Sequence, residues 1–315
     1  MGISKIAVIG SGAVGGFYGA KLQTSGKELH FLFHNDYEVV KQEGLRVDSV
    51  QGDMWLTEIN AYRDAGEMPK CDLVIVALKV VQNGILKEIL PRILAPGGIV
   101  LTLQNGMGAD DGIASIVGPD HVMGGLCFIC SNRIAPGHIR HLDYGGITLG
   151  HYAPDFGRRG VTPELTEVAE CLAQAGIKVD VIEDLFMGRW KKLVWNIPYN
   201  GMSVVLNETT DRMVADPDLR PLFRELMEEV ALGAAAYGRE ITPDFIAQMI
   251  GNTDKMKPYE TSMMLDFLNR RPMEIEAIYG MPLKLAKARG VDLPKIETLY
   301  RELLFIDRRN RISRG

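Results

Sequence analysis

The hexapeptide Gly10-Ser11-Gly12-Ala13-Val14-Gly15 has the residue types and spacing of a turn that holds a dinucleotide's pyrophosphate. It follows the first β-branched run, Lys5 to Ile9, and opens an apolar helical pattern, the context that gives a GxGxxG motif its meaning. Gly10 permits a tight turn, Gly12 offers no Cβ to block a phosphate, and Gly15 lets the helix pack closely on the strand. Amides at the helix N-terminus then face the anion.

The end of the second strand decides which nicotinamide cofactor fits. A carboxylate there, roughly twenty residues past the turn, would bond the ribose hydroxyls of NAD. The sequence instead reads Phe31-Leu32-Phe33-His34-Asn35-Asp36, with His34 and Asn35 as its first polar side chains past the strand. Donors at that place accept a phosphate, so NADP (NADPH) is the expected cofactor, and an inward turn of Asp36 would reverse the preference. Lys79 ends the apolar strand Leu73 to Leu78, and Asn105 comes just after the strand Ile99 to Leu103. Ligands of doubly wound sheets bind outside the carboxyl ends of strands. Lys79 is therefore placed to meet ribose or phosphate oxygens, and Asn105 to meet ribose or substrate.

A second constellation lies in the other half of the chain. Lys192, Asn196 and Asn200 recur every four residues, on one face of a helix, among Trp190, Leu193, Val194, Trp195 and Ile197. A polar stripe in apolar surroundings needs partners, which either a bound small molecule or hydrogen bonds between domains would supply. Pro198 is expected to kink this helix and to leave the Val194 carbonyl without its usual donor. Ser262 and Glu274 lie further on, and spacing alone brings neither to Lys192.

These residues need a scaffold of two kinds. Up to about residue 182, strands alternate with helices, the pattern of a parallel sheet with crossover helices. Leu45 to Ile59 reads as an antiparallel pair around Gln51-Gly52-Asp53, and Val122 to Gly150 as strand after strand. Pro91 is expected to stop the helix that begins near Val80. After Asp184 the strand signal gives way to six helical stretches, from Phe186 to Leu206 through Lys295 to Phe305. The expected architecture is α/β: a Rossmann-type dinucleotide-binding domain over 1–182 and an all-helical substrate and catalytic domain over 183–315.

Composition narrows the class. The 315 residues are 46% hydrophobic and 24% charged, with net charge −5, which suits a globular chain of two domains and gives no reason to expect a nucleic-acid partner. Cys127 and Cys130 share a CxxC spacing inside a strand-like run, poor geometry for a metal or redox pair, and the histidines do not cluster. No metal is expected. No apolar run approaches the roughly 18 residues of a membrane span. Met1-Gly2-Ile3-Ser4-Lys5 leads directly into the first strand, leaving no room for a signal peptide. The expectation is a cytoplasmic protein, and a homodimer formed through the helical half is compatible with the sequence.

With those residues in view, the chain resembles the ketopantoate reductase family (2-dehydropantoate 2-reductases) over nearly its whole length. The resemblance rests on the glycine turn, the Leu78-Lys79 strand end, Gln104-Asn105-Gly106-Met107-Gly108, the Trp190 to Asn200 helix, and the Ser262 and Glu274 segment. It implies NADPH-dependent reduction of 2-dehydropantoate to (R)-pantoate, on the route to pantothenate and coenzyme A. It also implies roles for single residues. Lys192 matches the catalytic lysine, Glu274 the catalytic glutamate and Asn105 the active-site asparagine beside the cofactor. Asn196, Asn200 and Ser262 match substrate contacts, and Lys79 matches a cofactor-binding lysine. Hydride would pass to the 2-keto carbon while Lys192 stabilises the developing oxyanion and supplies the proton. The chain departs from the pattern at His34, where an arginine would meet the 2′-phosphate, and at Tyr259, where an asparagine can precede the serine by three residues. Two alternatives stay beside this reading. One is reduction of another 2-keto or hydroxy acid on the same scaffold, separated by substrate turnover. The other is a non-catalytic dinucleotide-binding regulator, which would tolerate substitution of Lys192.

Overall fold

Strand β1 (Lys5–Ile9) is apolar on both faces because both faces are covered. Ile6 and Val8 join one apolar cluster with Phe17, Tyr18 and Phe31, whereas Ala7 and Ile9 join another with Val74, Val76, Leu90 and Val100. The two-residue period of a strand thus divides KIAVI between two layers of helix packing. The computed structural model describes residues 2–256 and 258–312. Within these, two compact units separate: one comprises the residues up to Gln104 together with Ala109–Gly188, the other Asn105–Gly108 together with Arg189 onward.

The first unit is built on a sheet with ten strands among the described residues. Besides β1 these are β2 (Glu28–Leu32), β3 (Leu45–Ser49), β4 (Met54–Leu56), β5 (Asn60–Tyr62), β6 (Cys71–Val76), β7 (Leu94–Thr102), β8 (Val122–Ala135), β9 (His138–His151) and β10 (Val179–Ile182). Their order is β4-β3-β9-β8-β7-β6-β1-β2-β5, with β10 added on β9. From β5 to β8 every pairing is parallel, as crossover connections require. The long hairpin β8–β9 and the short pair β3–β4 are antiparallel. The pair expected around Gly52 is therefore present, with Gly52 at φ +112°. Helices α1 (Ala13–Thr24), α2 (Tyr37–Glu43), α3 (Leu86–Ile93), α4 (Ala109–Val117) and α5 (Pro163–Gln174) complete this unit. Pro91 does not stop α3, which continues to Ile93.

The second unit is helical. It holds most of α6 (Leu185–Leu206), then α7 (Thr210–Ala215), α8 (Leu219–Ala235), α9 (Pro243–Thr253), α10 (Ser262–Leu268), α11 (Met281–Ala288) and α12 (Pro294–Ile312). A π-helical turn, Glu276–Gly280, runs directly into α11. Pro282 explains that turn: it has no N–H for the Ile278 carbonyl, and widening the helix absorbs the missing bond.

The units divide after Gly188, inside α6, rather than at 182. The first turn of α6 packs on the sheet: a Cβ on Gly150 would lie 2.9 Å from that of Leu185, and one on Gly188 would lie 2.5 Å from the Ile182 side chain. No helix among the described residues is long and apolar enough to cross a membrane. The four cysteines are buried and none is joined in a disulfide, and burial pushes the Cys71 thiol up to about 12.

Candidate active site

The glycine turn folds as its residue types dictate. Gly10 has φ +89°, and a Cβ there would lie 2.3 Å from the Leu78 nitrogen. A Cβ on Gly15 would lie 2.4 Å from the Gly10 carbonyl oxygen, so α1 sits directly on the turn. Gly12 differs, because a Cβ built there meets no protein atom within 4 Å. It is the N-cap of α1, contributes no capping side chain, and has no acidic residue after it in the first turn. The first amides of a helix have no partner within it, so this end presents donors and a positive dipole to open space. That arrangement fits the pyrophosphate of a dinucleotide.

The flanking residues are arranged around it. The Ser11 hydroxyl donates to the carbonyls of Val8 (3.4 Å) and Leu32 (3.3 Å), tying the ends of β1 and β2 together. Ala13 and Val14 form the first turn of α1, with Val14 packed on the core. Lys79, half-buried, comes directly after Leu78, whose carbonyl accepts from the Gln104 side chain at 2.8 Å. Gln104 also donates to Asn83 at 2.6 Å, so it clasps this strand end to that of β7. His34 and Asn35 are exposed just past β2. Asp36 is buried, and its carboxylate accepts from the Arg133 guanidinium and from the Gly137 amide (3.2 Å). It has turned toward the β8–β9 hairpin.

Helix α6, which belongs to the second unit from Arg189 on, continues through Pro198 to Leu206. Lys192 (8% exposed), Asn196 and Asn200 are all buried along it. The Lys192 ammonium donates to Asn105 Oδ1 at 2.8 Å, a direct contact between two residues singled out by sequence. The glycine and methionine after Asn105 hold it in place. Gly106 has φ +80° and lies so close to the π-helical turn that a Cβ would be 2.4 Å from the Ala277 carbonyl oxygen. That same oxygen accepts from the Met107 amide at 2.8 Å. The turn is in turn fixed to α6, since Tyr279 Oη donates to the Ile197 carbonyl at 2.9 Å. Burial holds the Tyr279 pKa well above its ordinary value, so the phenol keeps the proton it donates.

Ser262 and Glu274 are placed by separate devices. Ser262 is the first residue of α10, whose cap Thr261 accepts from the Met264 amide at 3.1 Å. The Thr261 hydroxyl also lies 2.8 Å from that of Ser203, which donates to the Asn200 carbonyl at 2.9 Å. Two buried hydroxyls thus link Ser262 to the end of the asparagine stripe. Glu274 is buried just before the π-helical turn, where the preceding Met273 amide donates to Asp307 of α12 at 3.3 Å. Ser203, Thr261, Tyr279 and Arg133 carry no motif, and sequence reading passes over them. The one available signal is Thr261, a hydroxyl residue immediately before an apolar helical run.

A buried ammonium held by an amide oxygen can meet negative charge that develops on a small polar acid. An ammonium has three donors, of which Asn105 takes one, and that bond directs the charge without cancelling it. Among the described residues no group of three His, Cys, Asp or Glu side chains could hold a metal ion.

Comparison with known proteins agrees with this geometry. Residues 6–154 match the model of ketopantoate reductase PanE/ApbA, and residues 184–307 match that of its C-terminal domain. A 2-dehydropantoate 2-reductase from Nostoc sp. (strain PCC 7120) is 52% identical over 307 residues, covering 98% of this chain and 96% of its own. Among solved structures, 2-dehydropantoate 2-reductase from Geobacter metallireducens superposes with TM-score 0.90 at 38% identity, over 94% of this chain and 98% of that one. The enzyme of that name from Methylococcus capsulatus gives 0.86 at 33% identity, over 97% of each chain. Matches spanning both the sheet with its glycine turn and the helical region that contains Lys192 and Glu274 leave one assignment: the chain belongs to the ketopantoate reductase family.

Proposed function

We propose that this chain is an NADPH-dependent 2-dehydropantoate 2-reductase, forming (R)-pantoate for pantothenate and coenzyme A synthesis. The first unit binds the dinucleotide, through the turn Gly10 to Gly15, Lys79 and the residues past β2, and the second carries the substrate groups. The observation that carries the reading is the 2.8 Å bond from the buried Lys192 ammonium to Asn105. The names and high identity of its relatives support the choice of substrate and cofactor.

The chemistry that NADPH supplies when bound is a hydride to the 2-keto carbon, leaving an alkoxide that needs one proton. Lys192 stabilises that oxygen as its charge grows, an interaction stronger in the transition state than in the ground state, and gives it the proton. Asn105 fixes the direction of the ammonium, and the order imposed on it before reaction lowers the entropic part of the barrier. Ser262 donates to the substrate carboxylate, while Asn196 and Asn200 bond its primary hydroxyl. Glu274 accepts from that hydroxyl or orients the ammonium.

The test is oxidation of NADPH, monitored by its absorbance, with 2-dehydropantoate and with other 2-keto acids in parallel. Turnover of 2-dehydropantoate at the highest kcat/KM is expected. Turnover confined to a different keto acid would refute the substrate. Tyr259, two residues before the cap that places Ser262, is then the first side chain to substitute.

A further inference from the structure

The β8–β9 hairpin passes both places where the adenosine half of a dinucleotide is held in this fold. Ser131 and Arg133 lie on one face of β8, since residues two apart in a strand point the same way and the register from Ser131↔His141 to Arg133↔Ile139 is regular. The Ser131 hydroxyl donates to the Ala13 carbonyl at 2.9 Å, on the glycine turn. The Arg133 guanidinium donates to Asp36, just past the end of β2. Ile139, opposite Arg133, packs on the first turns of α1, where a Cβ on Gly16 would lie 2.3 Å from Ile139 Cδ1. The tip of the hairpin is seated on α2, with Gly137 against Val39 and Val40. Arg133 is thus fixed at the position where a dinucleotide fold distinguishes a ribose hydroxyl from a ribose phosphate.

Given the NADPH-dependent reading above, we infer that Arg133 supplies the fixed positive charge for the 2′-phosphate that His34 does not, with Asp36 as the anchor that holds it there. A carboxylate at the end of β2 is the usual sign of NAD, because it bonds the ribose hydroxyls and repels a phosphate. Here the Asp36 side chain is only 9% exposed and is committed to Arg133 and to the Gly137 amide. The Arg133 side chain is 41% exposed, and a guanidinium has five donors, so the contact with Asp36 leaves a donor face for an anion. Asp36 therefore serves the opposite purpose from the one its position suggests. Arginine reaches the site from a strand distant in sequence, so the end of β2 alone does not show the specificity.

The probes are 2′,5′-ADP and 5′-AMP, which differ by that phosphate, titrated calorimetrically into the full chain. The wild type is expected to prefer 2′,5′-ADP. Arg133→Gln is expected to weaken 2′,5′-ADP about ten- to a hundredfold while leaving 5′-AMP within about twofold, as loss of one charge-assisted contact to phosphate predicts. Arg133→Lys should keep part of the preference. Because Arg133→Gln strands a buried carboxylate, the double variant Asp36→Asn, Arg133→Gln is measured beside it and should show the same selective loss. The ratio of kcat/KM for NADPH over NADH should fall in step with the binding preference. Equal weakening of both probes, or unchanged 2′,5′-ADP affinity in the double variant, overturns the assignment. So does a specific loss of 5′-AMP in Asp36→Asn, which would make Asp36 a ribose ligand. Selective 2′,5′-ADP binding in a wild type that reduces no 2-dehydropantoate would support the assignment and overturn the proposed substrate.

Discussion

Gly10 and Gly12 are two residues apart in one turn, yet the structure assigns their missing side chains to different purposes. Alanine at Gly10 must adopt φ +89° and bring its Cβ to 2.3 Å from the Leu78 nitrogen, a backbone atom that cannot swing away. A left-handed backbone costs a non-glycine residue roughly 1–2 kcal/mol before the clash is relieved, so a total of about 2–4 kcal/mol is expected. At about 2–4 °C per kcal/mol for a domain of this size, Tm should fall by several degrees to more than ten. Alanine at Gly12 has φ −84°, which any residue adopts, and its methyl meets no protein atom within 4 Å. Its stability should be unchanged or raised by up to about 1 kcal/mol through the unfolded chain. The methyl does enter the space before the α1 amides. Loss of even one charge-assisted bond to the pyrophosphate would raise the NADPH Kd about tenfold or more. Thermal denaturation with and without NADPH separates these effects. Saturating NADPH should stabilise the wild type, whereas Gly12→Ala should keep its Tm and lose that ligand shift. A Gly12→Ala protein with normal NADPH affinity, or one as unstable as Gly10→Ala, would refute the assignment of open space at Gly12 to the cofactor.

Other parts of the molecule give three further expected outcomes. Lys192→Ala should lower kcat by about a hundredfold or more while NADPH affinity measured by fluorescence stays within about twofold; unchanged kcat would remove Lys192 from the chemistry. Gly201→Ala would put a Cβ 2.6 Å from Tyr279 Oη and 2.7 Å from Leu299 Cδ2, which should cost about 1–3 kcal/mol in urea unfolding. The third concerns pH. Burial lowers the pKa of His30, His141 and His151 below the ordinary histidine value of 6.5, so the unfolded chain takes up protons first as pH falls. Their stabilising contribution is complete above the unfolded pKa and declines below it until the folded pKa is passed. Tm should therefore drop as pH falls below about 6.5, and His151→Gln should flatten that slope; equal slopes in variant and wild type would argue against it.

The glycine turn was legible because each of its residues answers a local demand of backbone angle or close approach. The stripe Lys192, Asn196 and Asn200 was legible because helical spacing is local too, and the helical second half shows the same periodicity throughout. Element ends were less legible. Pro91 and Pro198 sit inside helices because packing on either side outweighs one missing hydrogen bond. The widened turn before α11 arises from Pro282, whose effect on the preceding carbonyl leaves no periodic mark in the sequence. Pairings across long separations stayed hidden for a different reason. Nothing near Asn105 specifies Lys192, nothing near Asp36 specifies Arg133, and nothing near Ser262 announces that Thr261 will meet Ser203. Such contacts exist only after the chain has folded back on itself.

The placement of Asn105–Gly108 within the helical unit bears on how the enzyme is made. Chain on either side of this segment belongs to the sheet unit, but its own partners, Lys192 and Ala277, come from sequence still to be synthesised. Lys192 lies 87 residues beyond Asn105, which at typical ribosomal rates of about 5–20 residues per second is a delay of roughly four to seventeen seconds. Ala277 emerges later still. A nascent sheet unit therefore exposes an unsupported loop at Asn105, the residue that later accepts the bond from the Lys192 ammonium. The contacts that hold this loop are complete only once Ala277 has been added, and a chain terminated before that residue lacks them.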